Sequence, residues 1–368
     1  MTEQWEHADN LKRLRALSGL TQREVAEIAG IAEITYQTIE RGAHEPRANT
    51  LQGIAKALGV RVEDIFEPLE MPKRVRFRAQ RRMKCREAIL ADVTRRLNDY
   101  RELEELLGCR MPSRLNALVG DPPDPRPNRV YPTWLAGEVR NVLGLDANGP
   151  ICDISSLLES AGVKVIAVES CSRGFFGHSV ADDDLGPAVI VNASRLVSVE
   201  RQIFTAAHEL GHLLMHAQSY DIDDSSDKPH EEHEADIFAS RFIMPEDAFR
   251  AEWDESRGLR FVHRVLKVKR IFRVSYETVL YRLQPEDVHC SSKYAAFRGE
   301  YRKLTGQSLA EHREPMPLQR GADFVPDRFQ GLVRQALEAG AITMSRAAEM
   351  MRMDLREMRE YSKTWRAV

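Results

Sequence analysis

Apolar residues recur at helical spacing through most of the chain, whereas strand-like runs are few and short. After Ser198 they recur every three or four residues as far as position 214, which predicts a capped helix with one buried face. Two short apolar runs, at 163–168 and 188–192, predict strands. The pattern therefore predicts an α+β fold that is mostly helical, with a small sheet flanked by helices.

Four short helices are predicted near the N-terminus, at residues 11–17, 21–29, 33–40 and 51–58. Thr21 and Glu24 have the spacing of a capping box for the second helix. Gly30, Gly42 and Gly59 stand where helices commonly stop. Short helices joined by such tight turns are typical of a helix-turn-helix module.

The run LKRLRALSGLTQREVAEIAGIAEITYQTIERGAHEPRANTLQGIAKALGV closely resembles the Xre/Cro family of helix-turn-helix regulators. The resemblance implies binding to double-stranded operator DNA, with residues 33–40 as the recognition helix in the major groove. Proteins of this type usually bind paired half-sites, so we expect a homodimer. By this resemblance, base edges are faced by Glu33, Ile34 and Gln37. Phosphates are contacted by Gln22, Arg41 and Arg47.

The charge of this module does not by itself attract DNA, because residues 1–66 carry eight Lys and Arg against ten Asp and Glu. The stretch KRVRFRAQRRMKCR, residues 73–86, has eight basic residues and no acidic one. It is predicted either to follow DNA phosphates or to be a solvated helix face. The helix that continues to Leu107 has an apolar stripe, which we interpret as core packing against the second half of the chain rather than a dimer seam.

The segment HELGH, residues 208–212, places two histidines one helical turn apart. His208 and His212 project from the same side of the helix and can reach one metal ion. Glu209 lies about 100° around the helix from His208, where it is well placed to hold a water molecule. Gly211 removes a side chain where an edge strand or a substrate is expected to pass. This spacing predicts a metal site on a helix.

A second predicted helix, ending at Pro245, supplies candidates for a third ligand. Glu232 falls on its inward apolar face and is the predicted ligand, with Glu234 as the alternative. Asp236, one turn further along, is predicted to accept the free N–H of a ligating histidine. Three nearby histidines rank below Glu232: His216, His230 and His233.

The sequence HELGHLLMH, followed by E-x-E-A-D-x-F-A-x-x-x-x-M-P from Glu232 to Pro245, is similar to the ImmA/IrrE family of zincin-like metallopeptidases. The similarity extends over about residues 130–290. It implies a bound Zn²⁺ ion, Glu209 as the general base, and cleavage of a protein substrate that is often a transcriptional repressor.

Other parts of the second half give three further predictions. The strand near 189–191 is predicted to be the sheet edge that binds a peptide by strand addition. Residues 174–178 are predicted to form a loop over the cleft, in which His178 is a weak candidate for contact with the scissile carbonyl. The tail, residues 326–361, has helical spacing around an Ala-Gly-Ala turn.

We therefore expect four regions: a helix-turn-helix domain at 1–68, a basic helix and Pro-rich connector at 69–132, a zinc metallopeptidase domain at 133–290, and a helical region of unknown role at 291–368. Hydrophobic residues make up 43% and charged residues 30% of the chain, as in soluble proteins. No apolar run approaches the ~20 residues of a membrane span, so a cytoplasmic protein without a membrane partner is expected. The five scattered cysteines favour free thiols.

Two functions fit these features. The first is a DNA-binding regulator whose zinc endopeptidase cleaves a repressor or another regulatory partner in a stress or signal response. The alternative is a repressor or antitoxin-like protein whose zincin domain senses a ligand, or binds a partner such as a toxin, without cutting it. The presence of Glu209 favours the first, because a domain that only binds has no need of a base.

Overall fold

The structure is a computed structural model that describes residues 7–60, 62–66, 75–79, 86–124, 128–170, 175–181, 185–220, 228–283, 291–309 and 313–365. The chain divides into two compact units, one of Met1–Pro72 with Arg81–Asn98 and one of Lys73–Gln80 with Asp99–Val368. Within the described residues, no helix is both long enough and apolar enough to cross a membrane.

The first unit begins with five helices: α1 Ala8–Ser18, α2 Gln22–Ala29, α3 Glu33–Glu40, α4 Ala48–Leu58 and α5 Glu63–Phe66. The predicted capping box is present, because the Thr21 hydroxyl accepts from the Glu24 N–H and the Glu24 carboxylate accepts from the Thr21 N–H. Gly30 ends α2 with φ of 70°, in the left-handed region that glycine adopts at little cost.

The core of these helices is built from the apolar positions that set their periodicity. Leu11, Val25, Tyr36, Ile39 and Ile54 are fully buried in one cluster. Their burial fixes which face of α3 points inward. The opposite face of α3 is exposed, as a recognition helix requires.

The second unit contains one four-stranded sheet, with β1 Val75–Ala79, β2 Lys164–Val168, β3 Phe175–Val180 and β4 Ala188–Asn192 in the order β1-β3-β4-β2. β4 pairs in parallel with β2 and antiparallel with β3. The prediction of a peptide-binding edge at 189–191 is therefore wrong. All five residues of β4 are buried, as is typical of an interior strand with a continuous apolar run.

Two of the strands replace elements that were predicted otherwise. Residues 175–180 form β3 rather than a loop over the cleft, and His178 is fully buried within it. The basic stretch 73–86 does not begin as a helix: residues 75–79 form β1, which pairs antiparallel with β3 and sets Arg76 opposite Ser179. Of the same stretch, residues 73–74 and 80–85 lie outside the described residues.

Twelve further helices follow among the described residues: α6 Arg86–Leu106, α7 Val130–Val142, α8 Ile154–Ser160, α9 Val199–Met215, α10 Pro229–Ile243, α11 Glu246–Glu255, α12 Phe261–Phe272, α13 Tyr276–Arg282, α14 Ser291–Thr305, α15 Arg328–Glu338, α16 Met344–Met351 and α17 Leu355–Thr364. With the small sheet, they confirm the predicted α+β class dominated by helices.

Helix α9 is central to the second unit and packs against α10, β3 and β4. Ser198 caps it, since its hydroxyl accepts from the Arg201 N–H at 3.3 Å. A Cβ atom at Gly211 would lie 2.9 Å from Cδ1 of Phe238. Gly211 therefore makes room for α10, and the prediction that an edge strand or a substrate passes there is wrong.

The first turn of α9 is anchored by a buried charge. Oε1 of Glu200, which is fully buried, accepts from Lys269 Nζ at 2.5 Å and from the Leu318 N–H at 2.9 Å. Glu314 lies 3.6 Å from the same Lys269 nitrogen, and burial raises the pKa of Glu314 to about 7. The segment before α15 is thus tied to the helix that carries HELGH.

Helices α15 to α17 pack on the second half of α6. Tyr100 and Leu103 share a buried cluster with Leu332 and Val333. Arg346 binds the carboxylates of α6, at 2.5 Å from Asp99 Oδ1 and 2.6 Å from Glu102 Oε2. The stripe on α6 is core, as we interpreted it, and these two residues share their buried cluster with the tail helices.

Candidate metal centre and DNA-binding surface

Three side chains from two helices converge in the second unit. His208 and His212 of α9 are fully buried, and their Nε2 atoms lie 3.0 Å apart. Glu232, in the first turn of α10, brings Oε2 to 3.3 Å from His208 Nε2 and Oε1 to 3.2 Å from His212 Nε2. The structure thus gathers the three residues that the sequence indicated as ligands.

The spacing of these atoms fits a metal ion. Zinc with ligands at 2.0–2.1 Å in tetrahedral geometry has ligand atoms roughly 3.3 Å apart. The two Nε2 atoms are 3.0 Å apart, and each imidazole has one Glu232 oxygen at 3.2 or 3.3 Å. With one ligand atom from each residue, the three atoms lie within 4.8 Å of one another, close enough to share one ion. The Glu232 side chain is 21% exposed, so the group is not sealed from solvent. Three protein donors would leave the fourth position of a bound zinc ion for water or substrate.

Asp236 lies behind His208. Its Oδ1 is 2.8 Å from His208 Nδ1, the ring nitrogen that faces away from the other two donors. A carboxylate at this place can accept the Nδ1–H and so fix the tautomer that leaves Nε2 free for a metal.

His216 and Glu234 lie behind His212. His212 Nδ1 is 2.9 Å from His216 Nδ1, and His216 Nε2 is 3.1 Å from Glu234 Oε2. The other Glu234 oxygen accepts from the Asn128 N–H at 2.7 Å. The structure thus places Glu234, the alternative third ligand, in contact with His216. Within the described ranges, neither His230 nor His233 joins a group of potential metal donors.

Glu209 is fully buried on the side of α9 that faces β3. Its Oε2 accepts from the Ser179 hydroxyl at 2.9 Å, and the Tyr220 hydroxyl lies 2.7 Å from the same Ser179 oxygen. A Cβ at Gly177 would be 3.2 Å from Glu209 Oε1, so glycine keeps β3 close to this carboxylate. Strand alternation puts His178 on the opposite face of the sheet from Ser179.

Sequence reasoning missed Ser179 and Tyr220. Neither belongs to a spacing motif, and a serine in a short strand carries no signal that it faces a glutamate 30 positions later. The contact becomes visible only when β3 packs against α9.

Arg76 of β1 also reaches this centre. Its guanidinium binds Glu231 and lies 3.1 Å from Glu232 Oε1. Burial alone would lower the pKa of Arg76, but the charges of Glu231 and Glu232 raise it above its ordinary value. Glu231 is held further by the Ser219 hydroxyl at 2.6 Å. An arginine of the basic stretch is therefore charged within reach of a candidate metal ligand.

Burial also sets the protonation of the histidines. It is the largest cause that lowers the pKa of His212 well below its ordinary value, and the Arg76 charge lowers it further. Burial likewise lowers the pKa of His216. At neutral pH both rings are neutral, which is the form that binds a metal or relays a hydrogen bond.

The predicted DNA-contacting residues lie mainly on exposed positions of the first unit. Ile34 is 74% exposed, and the Gln37 amide donates to Glu33 Oε1 at 3.2 Å on the outer face of α3. Arg41 and Arg47 are exposed near the two ends of the segment that links α3 to α4. The amide of Gln22, by contrast, donates to Glu40 within the unit.

Comparison with known proteins gives two family matches. Residues 11–65 match the family described as helix-turn-helix, and residues 159–284 match the peptidase family described as IrrE N-terminal-like domain. An uncharacterised helix-turn-helix-type transcriptional regulator of Methanocaldococcus jannaschii is 41% identical over 58 residues, which are 16% of this chain and 88% of that protein.

Two further relatives match the same part of the chain. The helix-turn-helix-type regulator y4dJ of Sinorhizobium fredii is 38% identical over 61 residues, 17% of this chain and 79% of that protein. The regulator PuuR of Escherichia coli is 34% identical over 62 residues, again 17% of this chain but only 34% of PuuR.

The chain therefore belongs to the helix-turn-helix family of transcriptional regulators, and it carries in addition a domain of the IrrE N-terminal-like peptidase family. It is a DNA-binding regulator fused to a peptidase-family domain.

Proposed function

We propose that this regulator is also a zinc-dependent endopeptidase that cuts a protein substrate, a repressor or another regulatory partner, in a stress or signal response. The observation that carries the proposal is the convergence of His208, His212 and Glu232 within 4.8 Å, with Glu209 next to His208 in the same helix and fully buried. When bound there, zinc would supply Lewis acidity for peptide hydrolysis.

The side chains around the centre suit the remaining steps. Glu209 accepts a proton from the attacking water and returns it to the amide nitrogen that leaves. The hydrogen bond from Ser179 orients the Glu209 carboxylate. Asp236, together with His216 and Glu234, holds the two imidazoles in the tautomer that presents Nε2 to the metal.

The helix-turn-helix domain brings the peptidase domain to a promoter. We propose that the chain binds its operator as a homodimer through α3, because paired half-sites are the usual targets of such modules. Proteolysis at the promoter then changes transcription by removing a partner or the regulator itself.

The test compares cells that express the wild-type chain, Glu209→Gln or Gln37→Ala from the native promoter, with a transcriptional reporter. New protein N-termini are mapped by mass spectrometry before and after DNA damage. We expect new termini and induction in the wild type, neither with Glu209→Gln, and constitutive expression with Gln37→Ala. Identical new N-termini and identical reporter output in the wild type and Glu209→Gln would refute the proposed peptidase activity.

A further inference from the structure

The strand β1 lies at the side of the sheet nearest the candidate catalytic glutamate. β3 presents Gly177 and Ser179 to Glu209, and its outer side pairs with β1. The pairing is antiparallel, with Arg76 opposite Ser179. An extended chain in the place of β1 therefore pairs with the strand whose Ser179 contacts Glu209.

The origin of β1 in the chain is unusual for a sheet strand. Lys73–Gln80 belongs to the peptidase unit, whereas the residues on both sides, up to Pro72 and from Arg81, belong to the DNA-binding unit. About a hundred residues separate β1 from β3 in sequence. The pairing also shifts register between Phe77 and Ala79. These features are those of a segment added to the outer side of an existing sheet.

Arg76 of β1 forms ion pairs with two glutamates of α10. The Arg76 side chain is 10% exposed and the Glu231 side chain 3%, so their ion pair is largely removed from water. Arg76 also lies 3.1 Å from Glu232, the candidate metal ligand. In strand addition the backbone hydrogen bonds supply affinity for any extended chain, and pockets for side chains supply selectivity.

A permanent fourth strand is the plainer interpretation of β1. Charged side chains are common on permanent edge strands, where they usually point to solvent. Arg76 instead is only 10% exposed and is bound by Glu231 and Glu232. Recognition of an arginine by two glutamates, one of them a candidate metal ligand, is what a substrate-binding edge provides.

We propose that the outer side of β3 is the peptide-binding edge of the peptidase, that it selects an extended basic peptide with an arginine at the place of Arg76, and that residues 75–79 of the chain itself fill it in cis. This inference rests on the proposed peptidase function. It names the substrate class and also a regulation, because an incoming peptide must displace β1. A tethered strand competes at an effective concentration in the millimolar range.

The test measures binding of a fluorescent peptide with the sequence of residues 71–82 to the full chain, by fluorescence anisotropy. All chains carry Glu209→Gln, so binding is observed without cutting. With the native strand in place we expect weak binding. Adding Arg76→Glu to the chain releases β1, and we expect the peptide to bind at least tenfold more tightly.

Matched controls separate recognition from general charge attraction. Arg82→Glu in the chain makes the same charge change three residues beyond β1 and should leave peptide affinity unchanged. A scrambled peptide of the same composition, and the peptide with glutamate at the position of Arg76, should bind at least tenfold more weakly. In the Arg76→Glu chain, Glu231→Gln should also weaken binding.

Hydrogen exchange gives an independent readout: the amides of residues 75–79 should exchange faster in the Arg76→Glu chain, with an unchanged circular dichroism spectrum. Equal peptide affinity in the chains with and without Arg76→Glu, or equal binding of native and scrambled peptides, would overturn the inference. Because binding is measured without catalysis, a chain that binds the peptide but cuts no protein in cells refutes the proposed function alone.

Discussion

The Nδ1 atoms of His212 and His216 lie 2.9 Å apart in the buried centre of the second unit. A metal on His212 Nε2 requires the His212 proton on Nδ1, where it is donated to His216 Nδ1. His216 then carries its own proton on Nε2 and donates it to Glu234, 3.1 Å away. The two contacts define one tautomer for each ring and connect the candidate ligand to a buried carboxylate.

This relay predicts that Glu234→Gln weakens zinc binding by about 10- to 100-fold. The glutamine has one oxygen, so it can accept from His216 or from the Asn128 N–H but not from both. Competition with a chromogenic chelator measures the affinity. Glu360→Gln, on the exposed face of α17, is the control. Equal zinc affinity in all three proteins would exclude the relay.

We expect Glu209→Gln to retain one zinc ion per chain while peptide hydrolysis falls by a factor of about 10²–10⁴, the usual contribution of a general base. The metal donors are untouched, and the glutamine oxygen can still accept from Ser179. Metal content by atomic emission and cleavage of the identified substrate are the two measurements. His208→Ala should instead lose the metal. Full hydrolysis by Glu209→Gln would remove Glu209 from the mechanism.

Gly211→Ala should reduce stability by about 1–3 kcal/mol, because the new methyl group meets Phe238. The alanine gains roughly 0.5–1 kcal/mol of helix propensity, which does not offset the overlap. Urea unfolding measures the difference. The control is Gly137→Ala in α7, where nothing lies within 4 Å of the added Cβ, and there we expect a small gain. A gain of equal size at both glycines would contradict this packing.

Glu159 gives a pH dependence away from the metal centre. Burial raises the pKa of this 4% exposed carboxyl from 4.5 to about 8. Between these values the unfolded chain releases the proton that the folded chain keeps, so the free energy of unfolding falls as pH rises through that window. Glu159→Gln removes the titration and can still accept from the Arg328 N–H. Scanning calorimetry from pH 5 to 8.5 should show a smaller fall in Tm for the variant; parallel curves would refute the assignment.

Gln37→Ala should weaken operator binding by about 1–3 kcal/mol if Gln37 contacts a base edge. The side chain lies on the outer face of α3, where its amide donates to Glu33 Oε1 at 3.2 Å. Its loss leaves the buried core of the unit intact. Gel-shift titration at fixed salt measures the affinity. Gln335→Ala, an exposed glutamine of α15, is the matched control. Equal weakening for every DNA sequence would assign Gln37 to the backbone instead.

Much of the fold follows from local sequence. The bounds of α3 and β4 coincide with the predicted ones, because a glycine stop follows α3 and a continuous apolar run defines β4. The three candidate donors were also predictable, since two lie one turn apart and the third follows the register of an amphipathic helix.

The rest depended on pairing between distant segments. Nothing local indicates that VRFRA at 75–79 pairs with a strand a hundred residues later, and its basic residues predicted either contact with DNA phosphates or a solvated helix face. The predicted edge at 189–191 overlooked the continuous apolar run of β4, which is typical of an interior strand. Ser179, Tyr220 and Arg76 enter the centre only through these pairings.

The buried link from Glu200 to Lys269 and the Leu318 N–H bears on how such fusions can be rearranged. The family match ends at residue 284, but the first turn of the HELGH helix is bonded to a residue 34 positions further on. If only residues 159–284 were exchanged between regulators, the Glu200 carboxylate would lose the hydrogen bond from the Leu318 N–H. The smallest transferable unit of the peptidase-family domain is therefore longer than the region that sequence comparison recognises.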